Sequence, residues 1–191
     1  MQYTEHYDSP FGSITLASDG ASLVGLWFDG QKYFAATLEE EHEQKSLPVF
    51  QETRRWLELY FSGKNPDFLP PLAPKATPFR KKVWDVLLSI PYGETMTYGA
   101  IARRIGMEKA AHAVGGAVAH NPISVIVPCH RVVGTSGSLT GYADGIDKKV
   151  QLLTLEGVDM TRFFVPKQMR LPHCGEGAYL GMIRQLMPTT S

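Results

Sequence analysis

The sequence predicts a mixed α/β chain of the α+β kind. An N-terminal αβ domain with antiparallel strands is expected over residues 1–74. A mainly helical domain with a helix-turn-helix and a short active-site strand is expected over 75–160, and residues 161–191 form a C-terminal extension. Three observations carry this. Alternating apolar positions with a turn signal dominate the N-terminal part. Pro70-Pro71-Leu72-Ala73-Pro74 interrupts the chain as a linker would. Beyond it, apolar residues recur at helical spacing on both sides of Gly106.

The elements follow in order. Gly12-Ser13-Ile14-Thr15-Leu16-Ala17 alternates, Ser18-Asp19-Gly20 marks a turn, and Leu23-Val24-Gly25-Leu26-Trp27-Phe28 follows, so an antiparallel hairpin is expected. The charge run 39–45 is expected as a solvated loop or helix start. Residues 48–61 place Phe50, Trp56, Leu57, Tyr60 and Phe61 at helical spacing, and Ser62-Gly63-Lys64-Asn65-Pro66 breaks that helix. Thr77 suits an N-cap and Pro78 the first turn of a second helix, with Phe79, Val83, Val86, Leu87 and Ile90 as its buried stripe. Residues 97–105 and 109–120 read as two short helices across a turn at Gly106, a helix-turn-helix pattern often used to dock on DNA. The second of these is built from Ala, Gly and Val around Gly115-Gly116. Small side chains permit close approach, either by an outside partner or by a neighbouring helix. Val125-Ile126-Val127 reads as a short buried strand that Pro128 stops. A Gly/Ser/Thr loop follows over 134–141, then a helix over 147–156 closed by Gly157, and a candidate tail helix over 179–186.

At 191 residues, 43% hydrophobic and 20% charged, the chain can bury a sizeable core. No stretch is apolar and long enough to span a bilayer. Met1-Gln2-Tyr3-Thr4-Glu5 lacks the basic and apolar regions of a secretory signal, so a cytoplasmic protein without membrane association is expected. Cys129 and Cys174 give no disulfide framework, and no His/Cys cluster has zinc spacing, so no metal is expected. The net charge of zero hides an asymmetry. Residues 1–74 hold five bases and eleven acids, whereas residues 75–191 hold fourteen bases and eight acids. A basic C-terminal part suits a polyanionic partner.

Chemistry concentrates in Pro128-Cys129-His130-Arg131-Val132. A lone cysteine is ordinarily a small buried hydrophobe. Here a rigid element delivers it, and the His130 and Arg131 beside it can each lower a thiol pKa towards the nucleophilic thiolate.

The surrounding pieces are Val83-Trp84, Ile90-Pro91-Tyr92-Gly93, Thr97-Tyr98-Gly99, Ala113-Val114-Gly115-Gly116-Ala117, Asn121-Pro122, Gly141-Tyr142 and Leu152-Leu153…Glu156. In this order, from Phe79 to Glu156, the chain resembles the catalytic domain of the O6-alkylguanine-DNA alkyltransferases. The first part looks like that family's more variable N-terminal domain. The resemblance implies DNA repair by irreversible, stoichiometric transfer of the alkyl group from O6-alkylguanine to Cys129, with O4-methylthymine as a further candidate substrate. It implies a single-turnover methyltransferase with no cofactor or metal. Such a protein works as a monomer on alkylated double-stranded DNA, in the minor groove, with the base extruded into a pocket.

The same resemblance implies roles. Cys129 is the nucleophile. His130 is the base, acting through water because neighbouring side chains on an extended segment diverge. Glu156 orients His130. Tyr98 presses on phosphate and donates to guanine, and Asn121 braces the turn between recognition helix and active-site strand. Tyr142 and Ala143 line the base pocket, backbone groups near Val132 and Cys129 read the guanine edge, and Arg131 ties the active-site loop. Two positions depart from the family pattern. His112 replaces the usual arginine finger, and lacks its reach and its fixed, forked charge. Asp144 replaces a small residue, and a carboxylate at the pocket rim would repel phosphate or narrow the entrance. The tail beyond Gly157, with Cys174, exceeds the family core. A non-catalytic alkyl-base binder would lack the cysteine, and a sequence-specific regulator would carry base-reading side chains on its second helix. A cysteine hydrolase would need oxyanion donors and turnover. The set Cys129, His130 and Glu156 favours the alkyltransferase.

Overall fold

The computed structural model describes residues 1–166; the expected tail helix at 179–186 and Cys174 lie outside the described residues. Strand β1 (Gln2–Ser9) pairs antiparallel with β2 (Gly12–Ser18), and β2 with β3 (Leu23–Phe28). Strand β4 (His42–Gln44) runs parallel to β1, so the sheet order is β3-β2-β1-β4. The expected hairpin is therefore β2 and β3, and the sheet is larger than expected. The residues of β1 are mostly polar, and backbone pairing rather than an apolar face makes them a strand. The same holds for β4, which corrects the expectation of a loop or helix start over 39–45: its side chains are exposed while its backbone pairs with β1.

Helix α1 (Pro48–Phe61) brings Phe50, Leu57 and Tyr60 into one apolar core with Ile14, Leu16, Leu26 and Phe28 of the sheet. That core continues into the C-terminal part through Val83, Leu87, Ile101, Val114 and Leu152. The proline-rich stretch does not hang free. Leu23 donates its N–H to Pro71 O at 2.7 Å and Ala73 donates to Leu23 O at 2.9 Å. Further along β3, Leu26 donates to Pro122 O at 2.8 Å and Ser124 donates to Leu26 O at 2.9 Å.

Helix α2 (Pro78–Leu88) starts at the expected cap, with Thr77 Oγ1 accepting from the Arg80 N–H. Helix α3 (Tyr98–Arg104) is capped in the same way by Thr97, through Ala100. Gly106 turns the chain at φ +74°, a conformation open to glycine. Helix α4 (Ala111–Ala119) completes the helix-turn-helix. The Trp84 indole N–H of α2 donates to Ala117 O at 2.8 Å and pins α4 in place.

The expected strand over 125–127 does not form. Its residues are buried, but they turn: Val125 sits at φ +70°, Ile126 donates to Ser124 O, and Val127 donates to Ile123 O. A buried turn and a buried strand can share one composition, so an apolar run alone could not separate them. The short strand lies just after the cysteine instead, where β6 (Val132–Val133) pairs in parallel with β5 (Met96–Thr97). Helix α5 (Ile146–Leu155) packs behind it. Past α5, Phe164 straps the 134–141 loop, donating to Gly137 O at 3.0 Å and accepting from the Leu139 N–H at 2.9 Å. Among the described residues, no helix is long and apolar enough to cross a membrane.

One glycine of β3 is fixed by a close approach. A Cβ on Gly25 would lie 2.0 Å from the ring of Trp27, which is fully buried. Gly25→Ala should therefore expel the indole and cost ~3 kcal/mol, an overpacking penalty. A fall in the urea midpoint checks this.

Candidate active site

Cys129 opens a 3-10 turn (Cys129–Arg131). Pro128, at φ −82° and ψ 65°, makes the inverse γ-turn that presents it, closed by the Cys129 N–H on Val127 O at 2.8 Å. The segment is thus not extended as expected. Cys129 and His130 still diverge, because successive residues of a 3-10 turn point about 120° apart. Asn121 holds these turns together. Its Oδ1 accepts from the Ile123 N–H at 3.0 Å, and its amide nitrogen lies 3.1 Å from Ile123 O, 2.9 Å from Val127 O and 3.2 Å from the sulfur of Cys129. One buried amide therefore fixes both the turn and the thiol.

Behind the thiol stands Glu156, at the end of α5. Its Oε1 accepts from His130 Nε2 at 2.7 Å, from the Tyr60 hydroxyl at 2.8 Å and from Arg131 Nη2 at 2.8 Å. Its Oε2 accepts from Arg131 Nε at 2.9 Å and from the Gly93 N–H at 3.1 Å. Arg131 Nη1 donates to Ile90 O at 2.7 Å. Burial alone would raise the Glu156 pKa. The hydrogen bond and charge of His130, then those of Arg131, outweigh burial and hold the carboxyl well below the usual carboxylate range. An ionised carboxylate only accepts, so His130 Nε2 carries its proton. The other ring nitrogen, Nδ1, is buried and has no partner among the described residues. Burial pushes the His130 pKa down against the pull of Glu156, so the ring is neutral near pH 7.

The thiol itself is 5% exposed. Burial pushes its pKa up to about 12, the charge of Asp144 adds to the rise, and the Asn121 hydrogen bond and Lys149 oppose it. The expectation that His130 and Arg131 lower this pKa is not met, because both turn to Glu156. Lys149 is fully buried and donates to Val132 O and, at 3.0 Å, to Thr140 O; burial pushes its pKa down to about 8. The Tyr98 hydroxyl donates to the same Thr140 carbonyl at 3.1 Å. Tyr142 and Asp144 are buried beside each other, and among the described residues neither the hydroxyl nor the carboxylate has a well-aligned hydrogen bond. Ala143 is partly buried, and its carbonyl accepts from the Lys32 N–H at 3.1 Å.

The predicted site residues thus fall into groups. Cys129, Asn121, Tyr142 and Asp144 surround or influence the sulfur, while His130, Arg131 and Glu156 form the network behind it. Tyr98 and Val132 join the site through Thr140 and Lys149. His112 lies exposed near the start of α4. On that helix Gly116 faces open space, whereas Gly115 lies over the Tyr98 ring, where a Cβ would sit at 3.9 Å. One glycine thus leaves the outer surface open and the other serves packing.

Sequence reasoning missed Tyr60, Gly93 and Lys149. Lys149 had a signal: it lies seven residues before Glu156, on the buried face of α5. Tyr60 was legible only as an apolar position of α1. Among the described residues, no group of three or more His, Cys, Asp or Glu could hold a metal ion.

Residues 2–74 match the family described as 6-O-methylguanine DNA methyltransferase, ribonuclease-like domain, and residues 78–158 match its DNA binding domain. A methylated-DNA–protein-cysteine methyltransferase of Haemophilus influenzae is 44% identical over 157 residues, covering 82% of this chain and 87% of that protein. One of Methanosarcina acetivorans is 48% identical over 157 residues, covering 81% and 98%. The crystal structure of Mycobacterium tuberculosis OGT in complex with DNA superposes with a TM-score of 0.74 at 43% identity, covering 84% of this chain and 94% of that one.

The lowered pKa of Glu156 sets a pH dependence. The folded protein holds this proton less tightly than the unfolded chain, whose glutamates titrate near ~4.3. The stability it contributes is present above that pH and is lost as pH falls below it. Glu156→Gln should flatten this acid slope and cost ~3 kcal/mol at neutral pH by leaving Arg131 without its counter-charge. Unfolding midpoints measured between about pH 3 and pH 7 check both effects.

Proposed function

Because the chain belongs to the methylated-DNA–protein-cysteine methyltransferase family, we propose that it repairs DNA by taking the alkyl group from guanine O6 onto the sulfur of Cys129, once per molecule. One observation carries this: a buried thiol stands beside a histidine with a fixed tautomer and a free basic nitrogen. A thiol pKa of about 12 keeps the resting sulfur protonated. The proton must therefore leave during the reaction. It passes from the sulfur through a bridging water to His130 Nδ1, and Glu156, already ionised, stabilises the imidazolium that forms. The sulfur attacks the alkyl carbon, the bond from that carbon to O6 breaks, and its electron pair goes to O6. The imidazolium then gives up its proton, which passes to the released guanine. The product is a thioether, which does not reverse, so each molecule is spent.

The other residues position these atoms. Asn121 aims the sulfur, and Arg131 and Tyr60 hold Glu156. Lys149 and Tyr98 hold the Thr140 carbonyl, two residues before Tyr142. Tyr142 and Ala143 line the pocket, and the backbone of Cys129 and Val132 reads the guanine edge. The outer face of α4 meets duplex DNA in the minor groove. Its small residues allow close approach, and exposed Arg103, Arg104 and Lys109 flank it for phosphate contact. All these groups come from one chain, so a monomer suffices.

Incubation with a duplex carrying O6-methylguanine should place one methyl group on the Cys129 peptide by mass spectrometry and stop at one equivalent, and Cys129→Ser should take none. Retained DNA binding with unmodified Cys129 would mark a non-catalytic binder instead, and turnover beyond one equivalent a hydrolase. His112→Arg should tighten binding to alkylated duplex roughly fivefold, or ~1 kcal/mol. An unchanged affinity and alkylation rate would show that position 112 plays no part in base extrusion.

A further inference from the structure

Asp144 has no part in the chemistry above, yet it sits within reach of it. Asp144 is nine-tenths buried, and among the described residues neither carboxylate oxygen has a well-aligned hydrogen bond, although the Tyr142 and Ser124 hydroxyls lie beside it. Neither neighbouring lysine forms an ion pair with it among the described residues, although the charge of Lys148 is felt there. Lys148 lays its ammonium over the Phe28 ring, 5.1 Å from the centroid, and Lys149 donates to two backbone carbonyls. The Tyr142 hydroxyl beside it is also buried, and among the described residues no well-aligned hydrogen bond satisfies it. Unpartnered buried polar atoms are uncommon in folded proteins and call for an explanation, such as a ligand that satisfies them. Burial raises the Asp144 pKa to about 6, against the hydrogen bonding of Tyr142 and Ser124 and the charge of Lys148, so the ionised form predominates at neutral pH. Its charge is felt at Cys129, the atom that receives the alkyl group.

We infer that Asp144 is a specificity-determining residue of the alkyl pocket, selecting against adducts that carry negative charge and in favour of neutral adducts of the same size. The inference rests on the alkyl transfer proposed above. An O6-carboxymethyl group would bring its carboxylate to the carbon that the sulfur attacks. It would thus add a negative charge at the developing thiolate, where the charge of Asp144 is already felt. The reaction balances as for a methyl group: a bond forms from sulfur to the adduct methylene, the methylene–O6 bond breaks with its pair going to O6, and the thiol proton passes through His130 to the base. An O6-carbamoylmethyl group has the same shape and no charge, so it separates repulsion from crowding.

The test uses the full chain and duplexes carrying O6-methylguanine, O6-carbamoylmethylguanine or O6-carboxymethylguanine. Single-turnover rates are normalised to methyl transfer by the same variant. The wild type should take the carbamoylmethyl group roughly tenfold faster than the carboxymethyl group, as expected for one like charge acting across a poorly screened site. Asp144→Asn and Asp144→Gly should each bring that ratio down towards the value for the unselective chemistry, and Asp144→Glu should retain it. Two neutral variants are used so that misfolding of one, seen by circular dichroism, leaves the other to decide. Methyl transfer with a ratio unchanged in the neutral variants would overturn the role of Asp144. A wild type that transfers no methyl group at all would overturn the proposed function, and this inference with it.

Discussion

The carboxylate of Glu156 is the point on which the rest of the site depends. Three segments donate to it: α1 through Tyr60, the turn after α2 through Gly93, and the cysteine turn through His130 and Arg131; α5 supplies it. A buried charge is costly unless its lone pairs are filled, and here each oxygen has at least two donors. Removing any one segment would leave the charge under-solvated. The N-terminal part is therefore a structural component of the catalytic network, contributing Tyr60 directly, and not merely a neighbour attached by a linker.

Two constellations divide the labour around Cys129. Asn121 and the two tight turns set where the sulfur points. In the proposed reaction, His130 and Glu156 set where its proton can go. The buried, protonated thiol has a further property: it is the thiolate that oxidises and reacts indiscriminately, so a high resting pKa protects the residue until a substrate occupies the site. Reactivity is created by access and proton transfer rather than stored in the sulfur.

Much of this was legible in the sequence, for identifiable reasons. Helix caps at Thr77 and Thr97 work through one side chain and one N–H three residues on, so local sequence specifies them. The order of motifs from Val83 to Glu156 placed the cysteine, histidine and carboxylate together, although nothing local joins residues 26 positions apart. What stayed hidden depends on long-range pairing. Strand β1 and strand β4 are strands because their backbones meet, and polar side chains such as Glu43 and Gln44 carry no trace of it. Val125 adopts a positive φ that its β-branched side chain argues against, held there by hydrogen bonds centred on Asn121. Tyr60 was visible as an apolar position, but the destination of its hydroxyl was not.

The sheet also bears on how the molecule meets other molecules. An open strand edge invites pairing with another chain. The β3 edge is covered by the residue 71–73 stretch at one end and by residues 122–124 at the other. The opposite edge, β4, is three residues long, fully exposed, and preceded by Glu39-Glu40-Glu41. Its brevity and negative charge discourage strand addition by a second copy. The same charge repels a polyanion, while the bases lie in the other part of the chain. A duplex drifting near would feel the molecule as a dipole and be met by the helix-turn-helix side first.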